Sequence, residues 1–202
     1  MTTWKYTGTV ARTQGHLRLR VAWNGYGWMM RCVELRRHTD NDGDRLTAQG
    51  IADAERIGRD ELRPPYAAFL STGAQRATQM VMILRHAAGQ DDVEITSAIG
   101  LRSSVEDRWR AAAKAVGKGA DLEAMRSVDP DLVDHESRLL GLSLRQIVEA
   151  LPDGGRALVV GHSPTNEAAV LGLAGEIVPP LAKGGGILLI EEDGTYRVEP
   201  LV

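Results

Sequence analysis

From residue 31 onward the apolar positions alternate between a strand period and a helix period. Arg31-Cys32-Val33-Glu34-Leu35-Arg36 reads as a short strand. Leu46 to Leu62 reads as a helix, with Thr47 as its cap and Ile51, Ala54, Ile57 and Leu62 near one face. Tyr66 to Leu70 is the next strand, followed by a helical stripe of Ala77, Met80, Val81 and Leu84. Val93 to Thr96 makes a third strand and Ala157 to Val160 a fourth, with a helix beyond it from Pro164 to about Ala174. Gly186 to Ile190 and Thr195 to Val198 flank Asp193-Gly194, a hairpin turn signal. The stretch between the third and fourth strands has mainly helical patterning, as in Val105 to Val116 and Leu144 to Leu151. Such alternation predicts an α/β fold, a largely parallel sheet with helices on both faces.

Residues 1–29 read differently. Polar and apolar residues alternate from Lys5 to Ala11 and from His16 to Trp23 around Thr13-Gln14-Gly15, which suggests a β-hairpin. An extension preceding a natural start at Met30 is the alternative. The expected organisation is therefore an N-terminal extension, 1–29, and one domain, 30–202.

Composition narrows the function. At 202 residues and 43% hydrophobic content the chain suits one compact domain with a real core. A net charge of −3 gives no footprint for nucleic acid or an anionic membrane, so neither is expected as a partner. Cys32 is the single cysteine, which excludes an internal disulfide and a thiolate zinc cluster, and its apolar setting predicts a small core residue. No apolar run reaches the ~18 residues of a membrane span, and the N-terminus lacks a signal-peptide layout. The expected location is the cytoplasm. Of the 24 basic residues 20 are arginine, a side chain suited to bidentate anion contacts.

In open α/β sheets, ligands bind beyond the carboxyl ends of the strands. Arg36-Arg37-His38 follow the first strand, Ser71 to Arg76 the second, and Gly161-His162-Ser163-Pro164 the fourth. Three strand ends thus deliver two histidines and at least two arginines to one rim. Two imidazoles and two guanidiniums would make a dense cationic pocket, suited to a multiply charged anion. Arg37 and Arg76 are candidates for paired hydrogen bonds to phosphate oxygens. A histidine attacks phosphorus when one ring nitrogen is unprotonated and its other N–H is held by an acceptor. His162 is placed to stabilise an equatorial oxygen in the transition state, and Ser163 to cap the following helix, whose N-terminus also suits phosphate. His16, His86 and His135 lack such a setting and are read as non-catalytic.

These residues resemble the histidine phosphatase superfamily, the phosphoglycerate-mutase-like fold. Its Arg-His-Gly signature corresponds to Arg37-His38-Thr39, and its Leu-Thr-x-x-Gly helix start to Leu46-Thr47-Ala48-Gln49-Gly50. Its Ser-x-x-x-Arg-Ala segment corresponds to Ser71 through Met80, and its Val-Gly-His segment to Val160-Gly161-His162. The pattern is most similar to the short phosphohistidine phosphatases, through Asp42-Gly43-Asp44-Arg45-Leu46-Thr47 and Gly161-His162-Ser163-Pro164-Thr165-Asn166-Glu167. The resemblance implies a three-layer α/β/α sandwich and a nucleophilic His38 with Arg37, Arg76 and His162 as catalytic partners. It also implies phosphate contacts from Arg37, Arg76, His162, Ser163 and Thr39. It implies neither a cofactor nor a metal, and a partner that is a phosphorylated small molecule or a phosphohistidine protein.

Two positions depart from the family. Thr39 stands where the family has glycine, and its side chain would either crowd the phosphate or add a hydroxyl contact. Leu101-Arg102-Ser103 puts a serine where sugar-ester branches carry a proton-donating Glu, with Glu106 the nearest substitute. The missing acid tilts the substrate toward phosphohistidine or another good leaving group, since an alcohol leaving group benefits most from a general acid. A phosphoglycerate-type mutase and a catalytically silent phosphate- or phosphoprotein-binding module are the alternatives.

Overall fold

The computed structural model describes residues 30–117 and 119–201. The hairpin expected within 1–29 lies outside the described residues.

Six strands form one sheet. In chain order they are β1 (Arg31–Arg37), β4 (Ala68–Ser71), β5 (Ile95–Ser97), β6 (Arg156–Gly161), β7 (Gly186–Glu192) and β8 (Thr195–Pro200). A separate two-stranded hairpin, β2 (Asn41–Asp42) with β3 (Arg45–Leu46), lies between β1 and the first helix. The large sheet runs β5-β4-β6-β1-β7-β8. β5, β4, β6 and β1 are parallel, and β7 and β8 add an antiparallel edge.

The helices are α1 (Ala48–Asp60), α2 (Gln75–Ala87), α3 (Glu106–Val116), α4 (Leu122–Val128), α5 (Pro130–Ala150) and α6 (Thr165–Ala174), with a single 3-10 turn at Ile99–Leu101. They cover both faces, as strand alternation dictates. Leu158 and Val160 of β6 point into the cluster under α1 and α2, with Phe69, Met80 and Leu84. Ala157 and Val159 point the other way, into the cluster with Leu132, Leu140, Leu144 and Val170 of α5 and α6. The result is the expected three-layer sandwich.

β1 carries charge inside this frame. Val33 and Leu35 pack on the α5–α6 side. Glu34 and Arg36, between them in the alternation, form a buried ion pair at 2.7 Å. Arg36 also binds Glu61 at 2.8 Å and the Gly184 carbonyl at 3.2 Å, and Tyr66 donates to Glu34 at 2.6 Å. Arg36 is thus structural: its charge is matched within the fold.

Thr47 caps α1 as expected, accepting from the Gly50 N–H at 3.0 Å. The expectation for α6 needs correction. Pro164 occupies the N-cap position without a side-chain cap bond, and the Ser163 hydroxyl donates instead to Glu167. Of the N–H groups at this helix start, that of Asn166 bonds the His162 carbonyl at 2.8 Å. Cys32 is buried, as its apolar setting implied.

Candidate active site

Register brings the site together. Arg37 pairs with Gly161 across β1 and β6, while Ser71 of β4 pairs with Val160. The next residues are then tied to β6 as well: the His38 N–H bonds the Gly161 carbonyl and the Thr72 N–H the Val160 carbonyl. Three adjacent strands therefore end level, and His38, Thr72 and His162 leave them side by side. The His38 and His162 rings stand 5.1 Å apart, edge to face.

His38 is 6% exposed, and its Nδ1 lies 2.8 Å from the Thr39 carbonyl. A carbonyl only accepts, so Nδ1 carries the proton and Nε2 holds a free lone pair. Arg76, in the first turn of α2, donates to that lone pair through Nε at 3.1 Å. Its Nη2 lies 3.4 Å from Nδ1 of His162, so the His162 proton sits on Nε2 and faces the Thr72 hydroxyl at 3.1 Å. Asp44, from the β2–β3 hairpin, holds Arg76 at 2.7 Å and also accepts from the Gln75 N–H.

Both histidines are neutral. Burial, aided by the nearby charges of Arg76, Arg37 and Lys183 against the Thr39 carbonyl, lowers His38 to about 4. Burial, with Arg76 next, lowers His162 to about 3. The positive charge of the site thus comes from arginine, and the imidazoles add none.

Arg37 reaches the site from the end of β1, with Nη1 donating to the Leu181 carbonyl at 2.6 Å and its Nε buried without a partner. Thr39 does not offer a hydroxyl contact. Its Oγ1 donates to the Gly50 carbonyl at 2.7 Å, which commits the only proton it has, and the residue is buried. The Ser163 hydroxyl proton is likewise committed, to Glu167. Both side chains were expected to contact phosphate. Local acceptors take their protons first.

Beside Arg76 and His162 opens a cavity of ≈ 240 Å³, also lined by Arg102, Ser103, Glu106 and Trp109. Glu106 therefore faces the same cavity as His162. Its carboxylate accepts from Arg102 at 2.9 Å, and that hydrogen bond holds its carboxyl below the usual range. Sequence reasoning missed the parts of Thr72, Asp44 and Glu167. Asp44 and Glu167 stood inside quoted motifs, but Arg76, which Asp44 holds, and Leu181, which Glu167 holds, lie 32 and 14 residues away, and no local pattern names them.

No family model matches the chain, and no curated protein matches it. Solved structures do match. A phosphoglycerate mutase from Bacillus anthracis covers 86% of this chain and 93% of its own length, at 18% identity and a TM-score of 0.68. A phosphoserine phosphatase from Entamoeba histolytica, solved with 3-phosphoglyceric acid, covers 85% and 97% at 14% identity and 0.65. SixA from Agrobacterium tumefaciens, named as a candidate phosphohistidine phosphatase, covers 85% and 97% at 19% identity and 0.52. Strand order, layer arrangement and these similarities agree: the chain has the phosphoglycerate-mutase-like fold.

Proposed function

We propose that this protein is a phosphatase that hydrolyses a phosphorylated small molecule through a covalent phosphohistidine on His38. The observation carrying the reading is the fixed tautomer of His38: Nδ1 is tied to the Thr39 carbonyl, and the Nε2 lone pair stands beside Arg76 and His162.

In the first half-reaction the Nε2 lone pair attacks phosphorus, the N–P bond forms and the bond to the leaving group breaks. Arg37 and Arg76 hold the phosphoryl oxygens, and His162 turns its Nε2–H from the Thr72 hydroxyl to one of them as charge shifts. The leaving group departs with the electron pair of that bond and takes a proton from solvent water, which is returned when the water that attacks next loses one. In the second half-reaction water attacks phosphorus, the N–P bond breaks, and His38 regains its lone pair as inorganic phosphate departs. A neutral nucleophile suits this chemistry, because a protonated ring has no lone pair to offer.

The small cavity beside Arg76 and His162 supports a small leaving group. Glu106 lies in that cavity as an ionised carboxylate, held so by Arg102. In that state it has no proton to donate, which supports substrates with good leaving groups, such as aryl phosphates and phosphoramidates.

The test is His38→Ala with a chromogenic aryl phosphate. Turnover is expected to vanish, and acid-labile, base-stable labelling of the protein by substrate phosphate to vanish with it. His162→Ala and Arg76→Ala are expected to cost on the order of 10²–10³ in rate, the usual loss for one preorganised donor. Full activity in His38→Ala would falsify the assignment.

A further inference from the structure

We propose that Glu167 is a positioning residue for Arg37, acting through the backbone of Leu181; the inference rests on the phosphatase reading above. Glu167 lies in the first turn of α6 and is 1% exposed. Its Oε1 accepts from the Ser163 hydroxyl and from the Leu181 N–H at 2.8 Å. The Leu181 carbonyl accepts in turn from Arg37 Nη1 at 2.6 Å. One residue is therefore gripped on its N–H by a carboxylate and on its C=O by a guanidinium.

Leu181 lies between α6 and β7, where no helix or strand fixes the chain. Its side chain is buried in the α5–α6 core, so packing sets its place and the two charged groups set its peptide orientation. That carbonyl is the only side-chain hydrogen-bond partner of Arg37 among the described residues. It selects which guanidinium nitrogens remain for phosphate. The same carboxylate anchors Ser163, which directly follows His162, so one buried group ties down the arginine and the histidine flanking the anion site.

Glu167 earns no stability that a neutral acceptor could not supply. A buried carboxylate is costly unless matched, and its Oε2 is buried with no hydrogen-bond partner. Burial pushes the Glu167 carboxyl above its usual range, and the hydrogen bonds from the Leu181 N–H and the Ser163 hydroxyl, with the charge of Arg37 after them, pull the other way. Carboxylate, peptide and guanidinium thus make a relay of alternating polarity that ends at the phosphate site.

The experiment is a double-mutant cycle on the full chain, with an aryl phosphate as substrate and inorganic phosphate as competitive inhibitor. Glu167→Ala is expected to raise KM and the inhibition constant of phosphate about 10-fold, with kcat changed less, because a displaced arginine weakens anion binding. Glu167→Gln, whose amide oxygen still accepts from Leu181, is expected to stay within about 3-fold of the parent. In an Arg37→Ala background, Glu167→Ala is expected to change KM less than about 2-fold, because the relay no longer has an end. Should Glu167→Ala not fold, Glu167→Asp keeps the charge but shortens the reach, and is expected to give the same rise and the same loss of effect. An equal KM effect in both backgrounds, or an unchanged KM in a folded Ala or Asp variant, overturns the relay. A parent protein that neither hydrolyses the ester nor binds phosphate overturns the phosphatase reading and the relay with it.

Discussion

A neutral imidazole at position 38 sets how the protein meets acid. In an unfolded chain a histidine takes up its proton near 6.5, whereas folded His38 waits until about 4 and His162 until about 3. Between those values the unfolded state binds more protons, so stability falls as pH drops below about 6.5, by about 1.4 kcal/mol per pH unit for each histidine. By NMR, the ring-proton signals of both are expected to stay still through pH 6.5 and to move only near 4 and below. A His38 signal titrating near 6.5 would mean that the ring is not desolvated as described. Glu106 gives a second expectation at this scale. If the leaving group departs without its help, aryl phosphates are cleaved far faster than alkyl phosphates and Glu106→Gln changes neither much. A Glu106→Gln variant crippled on alkyl esters alone would make Glu106 the acid. Placement was legible in the sequence where a motif fixed both type and position, as for His38, Arg76 and His162, which the structure brings together. Thr39 and Ser163 were misread because a hydroxyl donates once, and the Gly50 carbonyl and the Glu167 carboxylate that claim those protons belong to other elements or turns.

At the scale of elements, the crossing of α5 and α6 is the tightest contact in the fold. A Cβ at Gly172 would run into the Ser137 carbonyl, and one at Gly141 into the Gly172 backbone. Glycine lets the two backbones touch, and α6 follows directly on His162. Gly172→Ala is expected to cost about 1–3 kcal/mol, the usual penalty for overpacking, and to lower activity by shifting α6. Urea unfolding and the aryl phosphate assay check both parts; an unchanged midpoint would show that the crossing has slack. Strands β1, β4, β6 and β7 and helices α1, α2, α3 and α6 follow the periodicity closely, because each buries a face or stripe, and β8 follows it with one face half-buried. The β2–β3 hairpin escaped notice: its strands have two residues each, too short for a period, and Leu46, expected to open α1, pairs in β3 instead. That hairpin delivers Asp44 to the otherwise uncapped start of α2. α4 and most of α5 were recognised only as a helical region, since Gly141 and the polar positions of α5 interrupt its stripe.

Across the whole molecule, no three His, Cys, Asp or Glu side chains converge to hold a metal among the described residues, and no described helix is long and apolar enough to cross a membrane. Arg37 and Arg76 flank the two histidines and would repel a cation. Turnover is therefore expected to survive EDTA; loss of activity restored by Mg²⁺ or Mn²⁺ would place a metal in the reaction.

The order of the strands also dictates an order of assembly. β4 pairs with β5 and β6, and β1 with β6 and β7, so β1 and β4 never touch as a ladder. Remove β6 and the sheet falls into two pieces, one ending at His38 and the other leading to Arg76. β6 inserts between strands made far earlier in the chain, and contacts of such long sequence separation form slowly. Because β6 also brings His162, the last parallel strand to be synthesised both joins the halves and supplies the final imidazole. A nascent chain that has not reached residue 162 holds His38 and Arg76 on separate fragments. The cluster of His38, Arg76 and His162 then matures only when the sheet does.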